Sequence, residues 1–131
     1  MGSQQLLLIV VGTLVVGMMV IIGITLFVDH AAATNRDEIA NDLMHAASVA
    51  QAYHRRPQMM GGGGNSFVGF DLRTVFRELG NMNGTYTVSG APTDSTIVIE
   101  GLGTQPGYDN TTLVKVSIRV YPSRTEVNEV N

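Results

Sequence analysis

The sequence predicts an α+β protein: one long N-terminal helix, apolar in its first half and amphipathic in its second, with a small C-terminal antiparallel β-sheet packed on the second half. Three observations carry this. Residues 6–28, LLLIVVGTLVVGMMVIIGITLFV, run for 23 positions without a charge or a proline. Residues 31–56 contain no Gly or Pro and repeat small and apolar side chains at helical spacing. Beyond residue 84 the hydrophobic period shortens to two, the pattern of strands with one buried face.

The helix opens on a short polar, uncharged stretch, with Ser3 as its expected N-cap and Gln4 and Gln5 in the first turn. At about 1.5 Å per residue the apolar run reaches roughly 34 Å, enough to cross the hydrocarbon core of a bilayer. A helix apolar all round cannot lie on the surface of a small soluble domain. It must be buried in lipid, in other protein, or in each at different times. Gly12, Gly17 and Gly23 recur at intervals of five and six, which is not the GxxxG spacing of a two-helix dimer. Each costs up to ~1 kcal/mol of helix propensity, so they mark close backbone approach or local loosening, or simply the glycine frequency of membrane spans. Ala31-Ala32-Ala33 offers a signal-peptidase-like site, but residues 1–5 carry no Lys or Arg and the apolar run is too long, so the segment is expected to be retained.

In the second half, Ala32, Ile39, Leu43, Ala46 or Ala47, Ala50 and Tyr53 form one narrow stripe, with Asn35, Asp37, Glu38, Asn41, Asp42, Ser48 and Gln51 opposite. Pro57 stops the helix, and Arg55-Arg56 complement the negative end of its dipole. The expected organisation is therefore residues 1–28 as an apolar half-helix, 29–57 as its amphipathic continuation, 58–66 as a flexible Gly-rich linker, and 67–131 as a small globular domain. In that domain a short helix is expected over 71–79, with Asp71 as N-cap and Gly80 as its stop. About three strands follow, at 85–89, 95–100 and 112–121, separated by a turn at 90–94 and a Gly/Pro-containing loop at 101–111. The last puts Val114, Val116, Ile118 and Val120 on one face and Lys115, Ser117 and Arg119 on the other. That apolar face is expected to lie against Ile39, Leu43, Ala47, Ala50 and Tyr53 of the helix. Residues 125–131 read as an acidic, polar tail.

Composition removes several function classes. Net charge is −3 and the pI about 5.4, with the seven arginines scattered, so no basic patch for nucleic acid is expected. Cysteine is absent, which excludes a disulfide framework, a thiol nucleophile and a cysteine-based metal site. His30, His45 and His54 make no i,i+4 ligand pair, and Asp42 with His45 reads as an exposed helical pair. The run Gly61–Gly64 lacks the context of a phosphate loop. Asp109-Asn110 has no calcium-loop ligands around it. Asn83-Gly84-Thr85 and Asn110-Thr111-Thr112 match the glycosylation sequon, a common chance pattern. No catalytic constellation is present, and no enzyme activity, cofactor or metal is expected.

The retained apolar half-helix, its amphipathic continuation and the small sheet together resemble a type IV pilin. Locally the resemblance lies in Gln5-Leu6-Leu7-Leu8-Ile9-Val10-Val11-Gly12, a short polar opening followed by an unbroken aliphatic run. The chain departs from the family pattern at three places. Gln5 stands where pilins usually carry a glutamate, no proline interrupts the apolar segment, and the C-terminal cysteine pair is missing.

The resemblance implies a structural subunit of a helical extracellular filament. The precursor would sit in the inner membrane and be assembled by machinery there, and the chain's principal partner would be itself. Subunit packing would then fall to Gln5, Leu6, Leu7, Leu8, Ile9, Val10, Val11, Leu14, Val15, Met18, Met19, Ile21, Ile22, Leu26 and Phe27, with Gly12, Gly17 and Gly23 as points of close packing or loosening. Two other readings of the same pattern are a single-pass membrane-anchored binding domain and a minor pilin-like subunit of a secretion or DNA-uptake machine.

Overall fold

The computed structural model describes residues 2–131 and resolves the chain into two compact units, Met1–Ala31 and Ala32–Asn131. A single helix, α1, runs Gly2–Arg55 and supplies residues to both. It begins ahead of Ser3, which lies inside the first turn rather than capping it. Pro57 follows its last residues, and His54 and Arg55 occupy the last turn, as a negative helix end favours.

Ala32–Asn131 is a helix-on-sheet unit. Its sheet is an antiparallel meander of four strands in the order β1 (Gly84–Ser89), β2 (Ile97–Pro106), β3 (Leu113–Val120) and β4 (Thr125–Glu129). The fourth strand comes from the segment expected to be a tail. It pairs with β3 from Val120↔Thr125 to Val116↔Glu129. An edge strand is wet on most sides, so Thr125, Glu126 and Asn128 suit it although they break the hydrophobic alternation. The expected loop at 101–111 is also shorter than read: β2 continues to Pro106, with a register shift between Leu102 and Pro106.

The segment 71–79 does not form the expected helix. It holds one 3₁₀ turn, Leu72–Thr74, with Asp71 Oδ1 accepting from Arg73 N at 2.9 Å. Leu79 takes a left-handed conformation, φ 59°, which turns the chain towards β1. Leu72 and Phe76 are both buried, and the left-handed Leu79 ends the segment shortly before β1 begins at Gly84.

The Gly-rich stretch is ordered as a cap on α1 rather than as a free linker. Gly63 N donates to Tyr53 O at 2.8 Å, Gly64 N to Arg56 O at 2.9 Å and Asn65 N to His54 O at 2.7 Å, satisfying carbonyls that a helix end leaves unpaired. Here glycine answers to space. A Cβ on Gly63 would lie 1.8 Å from Ser66 O, and one on Gly62 2.3 Å from Arg56 O.

The core lies where the helical stripe meets the sheet. Ile39, Leu43, Ala46, Ala47 and Ala50 are buried with Tyr86 of β1, Ile97 and Ile99 of β2, and Val114, Val116, Ile118 and Val120 of β3. Tyr53 is half-buried, its ring edge-on to Phe70 with centroids 5.5 Å apart. The helix comes close to β2 because that strand has glycines beneath it: a Cβ on Gly101 would sit 2.5 Å from Ile39 Cγ2, and one on Gly103 2.1 Å from Asn35 Oδ1. Phe67, Phe70, Leu72 and Phe76 close one side of the core, and the Phe76 ring stacks on Tyr86 at 4.0 Å.

Asn35, expected on the wet face, is buried instead. Its Oδ1 accepts from Thr104 N at 3.0 Å and its Nδ2 donates to Asn83 O at 2.8 Å. Thr104 lies where the β2–β3 pairing shifts register, and the asparagine supplies the acceptor that the neighbouring strand does not.

Candidate functional site

The chemistry of the Met1–Ala31 unit is that of a surface waiting to be covered. Leu6, Leu7, Leu8, Ile9, Val10, Val11, Leu14, Val15, Met18, Met19, Ile21, Ile22, Leu26 and Phe27 are all exposed in the single chain, as are Val16, Val20 and Ile24. Even the most shielded of these retains 44% of its accessible surface, and fully buried Leu, Ile, Val or Met side chains are each worth about 1.5–3 kcal/mol. An apolar surface of this extent on an isolated chain marks a membrane or protein interaction site.

The helix hides its own polarity. Backbone amides and carbonyls are spent on the α-helical ladder, and the two hydroxyls in the run turn back onto it. Thr13 Oγ1 donates to Val10 O at 2.8 Å, and Thr25 Oγ1 to Ile21 O at 2.9 Å. Nothing polar along residues 6–28 then needs water. By length and composition this is a helix able to cross a membrane, and none of its apolar window is buried within the chain. Gln5, at its polar edge, is exposed. Gly12, Gly17 and Gly23 have open space where a Cβ would stand, and α1 is unbroken at all three. The chain itself does not require glycine there, so any close packing they permit is with something outside it.

In the Ala32–Asn131 unit the residues with distinctive chemistry act on the fold. Asp42, read from the sequence as an exposed partner of His45, is the hub of a polar cluster tying α1 to the start of β1. Its Oδ2 accepts from Asn81 Nδ2 at 2.8 Å, from Asn83 Nδ2 at 2.9 Å and from the Tyr86 hydroxyl. Burial pushes the Asp42 carboxyl upward, but the hydrogen bonds from Tyr86, Asn81 and Asn83, with His45 nearby, outweigh it and hold the group below its ordinary value. Burial, then the hydrogen bond to Asp42 and its charge, push the Tyr86 phenol well above its ordinary value.

These directions set the pH response. The Asp42 contribution is complete above the unfolded carboxyl value of about 3.9 and is lost as pH falls through the lower folded value. The Tyr86 contribution is complete below the unfolded phenol value of about 10 and is lost as pH rises towards the higher folded one. Thermal melts are expected to show Asp42→Asn flattening the acid limb and Tyr86→Phe flattening the alkaline limb. Limbs unchanged in both variants would contradict the cluster's role.

No ligand-like constellation accompanies it. No group of three or more His, Asp or Glu side chains suited to a metal ion occurs among the described residues. His54 is buried, with its ring tilted on Phe67 and Nε2 3.1 Å from Asp94 O. A groove of about 550 Å³ is lined by Val49, Ala52, Tyr53, Arg56, Phe70 and Asp71, of which Asp71 already caps the 3₁₀ turn.

Sequence reasoning missed the Asp42 cluster because its partners lie about forty positions away and no motif links them to Asp42. No family model, curated protein or solved structure matches the chain. What stands is an architecture: a long, apolar N-terminal helix joined to a small four-stranded antiparallel sheet, an arrangement that is pilin-like.

Proposed function

We propose that the chain is the structural subunit of a helical extracellular filament of the type IV pilus kind, polymerising through the apolar half of α1. The observation that carries this reading is α1 itself. One helix of 54 residues passes from an exposed apolar surface into the core stripe of the sheet unit without a break. A monomeric anchored domain has no need for that continuity, because a membrane span serves equally well on a loose tether.

The energetics favour a two-stage life. Before assembly the apolar half is satisfied by lipid. Moving it into a filament core exchanges one apolar surrounding for another, so the hydrophobic term nearly cancels and tight packing of helices decides the outcome. Gly12, Gly17 and Gly23 are where backbones can approach most closely. Extraction from the inner membrane falls to an assembly machinery, and the finished filament stands on the cell surface. The role is structural, with no catalytic step and no nucleic-acid partner. Gln5 suits a dry core better than a lone carboxylate, which must find a partner or be neutralised, and its amide can hydrogen-bond the N-terminal region of a neighbouring subunit.

Electron microscopy of cell-surface preparations tests the reading. Filaments that disappear when the chain is deleted are expected, with lower yield or altered diameter in Gln5→Leu. Finding only detergent-soluble monomers, with no filaments, would end the proposal in favour of an anchored domain. Normal filaments from Gln5→Leu would remove the role given to Gln5.

A further inference from the structure

We propose that Asn110, and not Asn83, is an N-glycosylation site of this protein. Both asparagines stand in the sequon, Asn83-Gly84-Thr85 and Asn110-Thr111-Thr112, and only their surroundings distinguish them.

Asn110 occupies the corner of the turn joining β2 to β3. Asp109 builds that turn: its Oδ1 accepts from Thr111 N at 3.0 Å and Thr112 N at 2.9 Å, and its Oδ2 accepts from Thr112 Oγ1 at 2.7 Å. Gly107 N donates to Thr112 O at 2.7 Å and closes the loop's base. With the turn held by its neighbours, Asn110 takes a left-handed conformation, φ 55°, and is exposed. Its carboxamide makes no hydrogen bond among the described residues. A saccharide attached there displaces no contact of the fold.

Asn83 is the opposite case. It is half-buried, its Nδ2 donates to Asp42 Oδ2 at 2.9 Å, and its carbonyl accepts from Asn35 Nδ2 at 2.8 Å. A saccharide on that nitrogen has to fit into a half-buried site beside the Asp42 carboxylate, where Asn81 and Tyr86 also converge.

The reaction is a glycosyl transfer from a lipid-linked oligosaccharide phosphate. The Asn110 amide nitrogen attacks the anomeric carbon and a C–N bond forms. The anomeric C–O bond to phosphate breaks, the lipid phosphate leaves, and one amide proton is released. No oxidation or reduction is involved. The proposal rests on the part of the filament reading that places the sheet unit outside the cell.

Mass spectrometry of the protein isolated from the cells that make it decides the matter. Cleavage after Glu100 separates the two asparagines. The fragment holding Asn110 is expected to carry a saccharide mass, and the one holding Asn83 its unmodified mass. Asn110→Gly, which accepts the left-handed conformation, should remove the added mass, and Thr112→Ser, which keeps both the sequon and a hydroxyl, should retain it. A bare Asn110 fragment, or a saccharide on Asn83, would overturn the assignment. The two readings fail separately: filaments with bare Asn110 refute only this site, whereas a glycosylated chain found solely as a membrane monomer refutes only the filament.

Discussion

Replacing Val15 with lysine is expected to abolish surface filaments while leaving the Ala32–Asn131 unit folded. Val15 lies within the uncharged run, and a lysine near the centre of a membrane span costs about 2.5–3.5 kcal/mol on insertion scales. That penalty alone weakens membrane residence without eliminating it. The proposed filament core would be less forgiving. In a core of packed helices the ammonium group has no carboxylate to meet, because residues 1–28 contain no acidic side chain. An unpaired buried charge must be neutralised or must break the packing, and the defect recurs in every subunit. Filament yield by electron microscopy should fall below detection. The melting of the sheet unit in detergent should stay close to that of the unaltered chain, since its core residues begin at Ala32. Val15→Leu, apolar and of similar reach, should still assemble. Wild-type filament yield from Val15→Lys would show that this half of the helix is not the assembly surface.

The second large effect is expected from Ile39→Ala, in the other half of the same helix. Ile39 is fully buried where a Cβ on Gly101 or Gly103 would strike it, at 2.5 and 2.8 Å. Removing its branched side chain over two glycines leaves a void that no neighbour fills, because glycine has no side chain to move in. Such truncations cost about 2–5 kcal/mol. For a unit of this size that corresponds to a fall in melting temperature of about 10 °C or more. Met44→Ala, at an exposed position of the same helix, should change it little. Equal melting of the two variants would contradict the packing described here.

Much of this architecture was legible because burial leaves a period in the sequence. The uninterrupted run at 6–28 announced a helix that needs covering. The alternation of Val114, Val116, Ile118 and Val120 announced a strand with one buried face, and the structure buries all four. What escaped reading depends on long-range contact. Asn35 looked like a wet-face residue because its polarity was visible, whereas the register shift that needs it is a property of β2 and β3 together. Residues 125–129 became a strand because β3 offered them a free edge, not through any pattern of their own. The glycines at 61–64 looked flexible in isolation, yet in the fold they let the chain pass close to Arg56 and Ser66. The segment 71–79 had helical spacing, but the early turn at Leu79 and the burial of Phe76 against Tyr86 prevailed over it. The apolar half of α1 is equally plain in the sequence, and no part of the single chain covers it.

Cysteine cross-linking distinguishes an open-ended array, in which copies of this chain cover that surface, from every other covering. The chain contains no cysteine, so introduced pairs report without background. A set of double-cysteine variants across residues 6–28, oxidised in surface preparations, is expected to include pairs that give a covalent ladder of multimers. A head-to-tail interface that does not close on itself propagates such a ladder. Every pair yielding only monomers, or stopping at a dimer as a closed symmetric interface would, would contradict the account.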